Sequence, residues 1–259
     1  MTRTAVALLL LGSAPVASSL EGQAPPRYAA SALACAVFAE TVRTTVRAQE
    51  AGVPWEETGT RFGLLVVRAQ PAGAQLAFEA WYDSLAIAAE TRTGRVVPDT
   101  DGLVGGRWQG LLTPNGAVAL RTRPFVPEEV RAVSDLAEAL LDFFPPLPTA
   151  AILPNTSWTD SLGLTMRRLA DSAALSRYRW TIRSRSAPVL EADTTVRFRQ
   201  QADEEGQVAW DAVQGAAGWA RDVTVETQVT QAGRGGRAYR GRVAQQIAVR
   251  RVRDHPACR

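Results

Sequence analysis

The chain has 259 residues, 46% hydrophobic and 21% charged, with 20 Gly, 15 Pro, 2 Cys and a formal net charge of +3. These fractions exclude a disordered, collagen-like or disulfide-dense polypeptide. All 29 basic residues are arginine and the single histidine is His255, near the C-terminus. Schiff-base, P-loop and lysine general-base chemistry therefore have no residue to use, and most metal-ligand and triad arrangements are removed as well. A non-enzymatic protein without cofactor or metal is expected.

Met1-Thr2-Arg3-Thr4 is followed by the apolar run Ala5–Gly12 and the small-residue stretch Ser13–Ser19, the layout of a secretory signal. Cleavage is expected after Ser19, with the boundary open to Ala24, and the alternative is a buried N-terminal helix. The run is far shorter than the ~20 residues a membrane-spanning helix needs. Residues 20–259 then form one exported β-rich domain, periplasmic or extracellular, with outer-membrane association as a variant. A two-domain split at Pro145–Pro154 is the alternative.

Cys35 and Cys258 lie near opposite ends of the mature chain. In an oxidising compartment they pair most simply as one disulfide. Two independent thiols, or a lipidated Cys35 in an Ala32-Leu33-Ala34-Cys35 lipobox, are the other readings.

Strand patterns follow in chain order. The Thr/Val-rich run Cys35–Arg47, Arg61–Arg68 and Gln75–Asp83 are separated by short turn segments, and Asn115-Gly116 joins Trp108–Leu112 to Ala117–Leu120 as a hairpin. From Pro127 to Phe144 the apolar residues Val130, Val133, Leu136, Ala137, Leu140, Leu141 and Phe144 fall at helical spacing. Pro127 and two Glu open this helix, and Pro145-Pro146 close it. Tyr178–Arg185, Asp222–Val229 and Arg242–Val249 alternate apolar and polar residues, the last two joined by the Gly-rich segment Gln231–Gly236. The fold class expected is α+β and mostly β: a curved, long-stranded antiparallel sheet, an open half-barrel, whose concave face is covered by one amphipathic helix at 127–144.

Sites of chemistry are few. Asp99–Gly102 begins like a calcium loop but lacks the later oxygen ligands, so it reads as a turn. Asp203-Glu204-Glu205-Gly206 reads as a solvated hairpin tip, Asn155–Ser157 matches a glycosylation sequon, and His255 is expected at the surface. A carboxylate-dependent hydrolase needs no histidine, yet Glu79 and Asp83 on one strand would stand ~13 Å apart, too far for a hydrolytic pair. Carboxylates from separate strands would be required.

Residues 165–259 carry 17 Arg against 10 acids, whereas residues 1–164 carry 12 against 16. Arg179, Arg183, Arg185, Arg197, Arg199, Arg240, Arg242 and Arg250 are placed on an outward face, there to meet an anionic lipid, glycan or partner, or simply to be solvated. Of the seven tryptophans, most serve as core. Trp81, Tyr178, Trp180, Phe198 and Leu140 are the candidate lining of an apolar cavity under the helix, with Arg179, Arg183, Arg197 and Arg199 as rim cations.

Phe143-Phe144-Pro145-Pro146-Leu147-Pro148, followed by Leu153-Pro154-Asn155-Thr156-Ser157-Trp158-Thr159-Asp160, resembles a pattern in bacterial secreted proteins and lipoproteins of the domain-of-unknown-function type. Leu111–Gly116 is similar to the strand-turn-strand upstream of the helix there, and Asn155 stands where that pattern has Gly. The resemblance implies a β-rich extracytoplasmic domain, a fold-level likeness to the half-barrels of lipoprotein carriers, and no catalytic residues.

The function expected is a cell-envelope protein that binds an apolar or amphipathic small molecule between sheet and helix, with anionic surfaces or envelope proteins as further partners and no nucleic acid. A structural or interaction protein with a filled core is the alternative, and the carboxylate hydrolase a second one.

Overall fold

The computed structural model describes residues 24–258 apart from Ala51, Ala173 and the segments 186–188, 191–195 and 232–237. The segment read as a leader lies outside the described residues, as do most of the Gly-rich connection at 231–236 and the Arg185 and Arg197 side chains. Thirteen strands are described: β1 (Ala36–Glu50), β2 (Val53–Ala72), β3 (Gln75–Thr91), β4 (Gly94–Val96), β5 (Trp108–Leu112), β6 (Val118–Thr122), β7 (Ser157–Thr159), β8 (Thr165–Arg168), β9 (Leu175–Arg185), β10 (Val189–Leu190), β11 (Val196–Asp211), β12 (Gly215–Gln231) and β13 (Ala238–Val252). They form one antiparallel sheet in the order β6-β5-β3-β2-β1-β13-β12-β11-β9-β8-β7, with β4 on β3 and β10 on β11, and it is not closed into a barrel.

Two meanders share this sheet. The first grows outward from β1 to β6 and the second runs inward from β7 to β13, which pairs with β1. The chain between β6 and β7, residues 123–156, therefore has to travel from one edge to the other. It does so across one face as a strap, where Phe143 packs edge-on against Phe38 and Trp219, at ring separations of 5.7 and 5.0 Å, and Phe144 packs against Phe78 and Tyr28.

The alternation of side chains sorts each strand onto two faces. Phe38 and Val42 of β1, Leu65 and Val67 of β2, Trp219 of β12 and Val249 of β13 join the strap in the main core. Val37, Val66 and Trp81 form a small second cluster with Cys35 and Ala257 on the opposite face. There Cys35 and Cys258 are bridged with their Cα atoms 5.5 Å apart. Closing a separation of 223 residues contributes about 5 kcal/mol on the chain-entropy model.

Helix 127–144 is corrected by the structure. Only Glu128–Arg131 is α-helical; beyond it Ala139, Leu141 and Phe143 donate to the carbonyls of Leu136, Glu138 and Leu140, three residues back. Ser134 and Asp135 interrupt the ladder. The Ser134 hydroxyl accepts from Arg61 of the sheet, and Asp135 Oδ1 accepts from the Glu138 amide, so a local side-chain bond takes the amide that a continued helix would give to the carbonyl four residues back. The apolar stripe is nonetheless covered: Val130, Leu136 and Leu140 are fully buried.

The supposed hairpin tip Asp203–Gly206 is a second correction, since it lies inside the 16-residue strand β11. Gly206 pairs with Trp180, and a Cβ there would sit 2.1 Å from the indole. Glu204 is kept in the strand because its carboxylate accepts the Trp180 indole N–H at 2.8 Å. Turn-like composition here is the requirement of a large ring lying flat on backbone.

Two substitutions check this packing. Gly206→Ala is expected to cost about 2–3 kcal/mol, read from urea unfolding, because Trp180 cannot move without losing Glu204. Leu140→Asp is expected to cost at least about 4 kcal/mol. Wild-type melting of either variant would contradict the placement of its residue.

Candidate functional site

On the strap face the central strands carry a buried polar cluster. Glu40 of β1, Arg61 of β2 and Tyr82 of β3 are almost wholly buried. Arg61 holds Glu40 with two N–H bonds, Nη2 to Oε1 at 2.8 Å and Nε to Oε2 at 3.2 Å, and donates a third from Nη1 to Ser134 of the strap. The Tyr82 hydroxyl donates to Glu40 Oε2 at 2.7 Å. Gly63 makes room for that ring, since a Cβ there would meet it at 2.6 Å. Burial opposes the Arg61 charge, but Tyr82, Glu40 and Asp135 outweigh it and hold the guanidinium more firmly protonated than usual.

A cleft of about 140 Å³ opens beside this cluster, lined in part by Glu40, Asp135, Glu138 and Asp142. Both Glu40 oxygens are already occupied, and Glu138 is paired with Arg123 at 3.0 Å. The cluster thus anchors the strap to the sheet. Removing Arg61 alone would strand the Glu40 charge in the core at about 3–5 kcal/mol.

The opposite face is open. A groove of about 970 Å³ crosses β11, β12, β13, β1 and β2 near the far ends of these strands. Strand register arranges its outward side chains in two rows. One row reads Arg199, Gln228, Arg240, Gln49, Pro54 and the next Gln201, Glu226, Arg242, Arg47, Glu56. The second row is internally compensated, with Arg47 bonded to Glu56 at 2.6 Å and Arg242 lying 3.9 Å from Glu226. Arg199 and Arg240 in the first row have no ion-pair partner among the described residues. Such exposed guanidinium groups present planar forks that match carboxylate or phosphate.

The residues singled out from the sequence are not brought together. Leu140, Tyr178 and Trp180 share the main core and are buried there among the protein's own side chains. Phe198 is half-buried in β11, towards its start. Trp81 belongs to the other face, in the second cluster, with the Arg107 and Arg68 guanidinium groups 4.1 and 5.2 Å from its ring. Arg179 and Arg183 are exposed on β9, and Arg179 stands 3.8 Å from Glu205. Of the three rim cations whose side chains are described, Arg199 alone lines the groove.

Other expectations have plain outcomes. Asp99–Gly102 is a turn in which Asp99 caps the Asp101 amide. Glu79 and Asp83 face Arg107 and His255 instead of each other. His255 is half-buried, against the surface position expected, because its Nδ1 accepts the Ala257 amide beside the disulfide. Among the described residues no helix is long and apolar enough to cross a membrane. No family model matches the chain, and no curated protein matches it.

The buried cluster yields a pH signature. Burial, followed by the Glu40 charge, raises the Tyr82 phenol well above its ordinary value, and burial does the same to Tyr28. A raised folded-state value means the stability is fully present below the unfolded phenol's pKa, about 10, and is lost as pH rises from there towards the folded one. Unfolding midpoints should therefore fall steeply between about pH 9.5 and 11. Tyr82→Phe should make that fall shallower, and an unchanged slope would remove the assignment.

Proposed function

We propose that the chain is a non-enzymatic exported protein, as the resemblance of its Phe143–Pro148 and Leu153–Asp160 segments to bacterial secreted proteins implies, and that it takes an anionic ligand on the sheet face opposite the strap. The single observation that carries this reading is the first row of the groove, where Arg199 and Arg240 stand on either side of Gln228 with no ion-pair partner among the described residues. The Cys35–Cys258 bridge fits an oxidising compartment.

The apolar ligand expected between sheet and helix has a weaker basis. Leu136, Leu140, Met166 and Trp180 are fully buried in one packed cluster with the strap, and the carboxylates nearest that region are engaged in ion pairs or hydrogen bonds. The strap face works as core, which leaves the arginine groove to meet a partner.

A fluorescent polyacrylate titration tests this. The double variant Arg199→Glu/Arg240→Glu should bind at least tenfold more weakly than wild type. Arg177→Glu/Arg183→Glu, an equal change of net charge on exposed β9 positions, should bind like wild type. Equal losses in both variants would mean bulk charge alone, and the groove would have no special role.

A further inference from the structure

We propose that the ligand of this groove is an extended carboxylate-bearing glycan, a linear oligouronide lying across the strands along the row Arg199, Gln228, Arg240, Gln49. This rests on the reading of the groove as an anion site and adds the ligand's chemical class.

Spacing is the first reason. Arg199 and Arg240 lie on β11 and β13 with β12 between them, in direct register through Gln228, so their attachment points are two strand spacings apart, about 9.6 Å. That is close to the disaccharide repeat of an extended glycan, in which every second unit presents its carboxylate to the same side. An extended acidic peptide repeats on one side every ~6.7 Å, a poorer match to the spacing of the two attachment points.

Chemistry is the second. Between and beside the two arginines stand amides. Gln228 makes no side-chain hydrogen bond to a described residue, and Gln49 donates to the Gly52 carbonyl at 3.2 Å, which leaves its own oxygen to accept. Amides supply both a donor and acceptors, which sugar hydroxyls require and an acyl chain cannot use. Glu56 and Glu226 in the neighbouring row add acceptors.

Shape is the third. From β11 to β2 the groove crosses four strand spacings, about 19 Å, several times the width of one pyranose ring. The two outward rows that form it are built of arginine, glutamine and glutamate with Pro54 as their apolar member, a polar lining that suits a hydroxylated ligand better than an acyl chain. Strand alternation turns the Trp55 side chain to the face opposite Pro54 and Glu56, where Arg92 lies 4.9 Å from its ring centroid, so among the described residues a stack of nucleobases finds no aromatic platform in the groove.

Calorimetric titration of the disulfide-bonded protein with hexagalacturonate and hexamannuronate tests the assignment, against the methyl-esterified hexamers, poly-glutamate and phosphatidylglycerol vesicles. At least one hexuronate should bind, its methyl ester at least tenfold more weakly. Arg199→Glu/Arg240→Glu should abolish that binding, and Gln228→Leu should weaken the hexuronate severalfold while leaving residual poly-glutamate binding unchanged. If poly-glutamate or the vesicles bind as tightly with the same dependence on the two arginines, the glycan assignment fails and the anion groove stands. If no probe's binding depends on Arg199 and Arg240, both fall together.

Discussion

Fourteen residue pairs join β1 to β13, from Val37 opposite Val252 to Glu50 opposite Tyr239. Because the first and last long strands are neighbours, the two halves of the chain can only grow outward in opposite directions. That pairing leaves β6 and β7 at opposite edges and obliges residues 123–156 to cross the sheet. The crossing covers one face; on the other, the described residues cover the disulfide end with the cluster of Val37, Val66, Trp81 and Ala257 and leave the groove end open. The disulfide between Cys35 and Cys258 ties the same two strands at their shared end, so the covalent and hydrogen-bonded constraints act on one seam.

The seam also decides where charge can be tolerated. Under the strap, Glu40 and Arg61 are held in bidentate contact with Tyr82 as a third partner, a geometry in which the burial cost is offset by satisfied hydrogen bonds. Arg61 reaches Ser134 as well. The ion pair therefore fixes the strap to the sheet, together with the Tyr28 hydroxyl bond to the Pro145 carbonyl and the Leu147 amide bond to the Asn115 carbonyl. On the open face the same residue type is exposed, and the ion pairs there, such as Arg47 with Glu56, are worth about 1 kcal/mol or less. Those side chains can exchange a neighbouring carboxylate for one on a ligand at little loss.

Much of the sheet was legible because alternation survives in sequence. Phe38 and Val42, or Tyr178, Trp180 and Ile182, announce a half-buried strand wherever they stand. The helix was misjudged for a physical reason: Val130, Leu136, Leu140 and Phe144 do belong to a stripe at helical spacing and are buried, but spacing records which side chains need cover and is silent on which backbone bonds form. Arg61 and Ser134, distant in sequence, decided that. Gly206 misled similarly, since a glycine that ends strands elsewhere is here the seat of a tryptophan ring.

The groove was half legible. Arg199, Arg240 and Arg242 were assigned to an outward face from the excess of arginine in the second half of the chain, and all three are exposed on the face away from the strap. What no single strand reveals is the row. Arg199 meets Gln228, and Gln228 meets Arg240, only through the pairing of β11 with β12 and of β12 with β13. A shift of one residue in either pairing would turn one member to the strap face, and a shift of two would set Arg240 opposite Glu226. The placement of these two guanidinium groups beside amides, with no ion-pair partner among the described residues, is thus a property of register, which the long antiparallel ladders hold fixed from the seam outward.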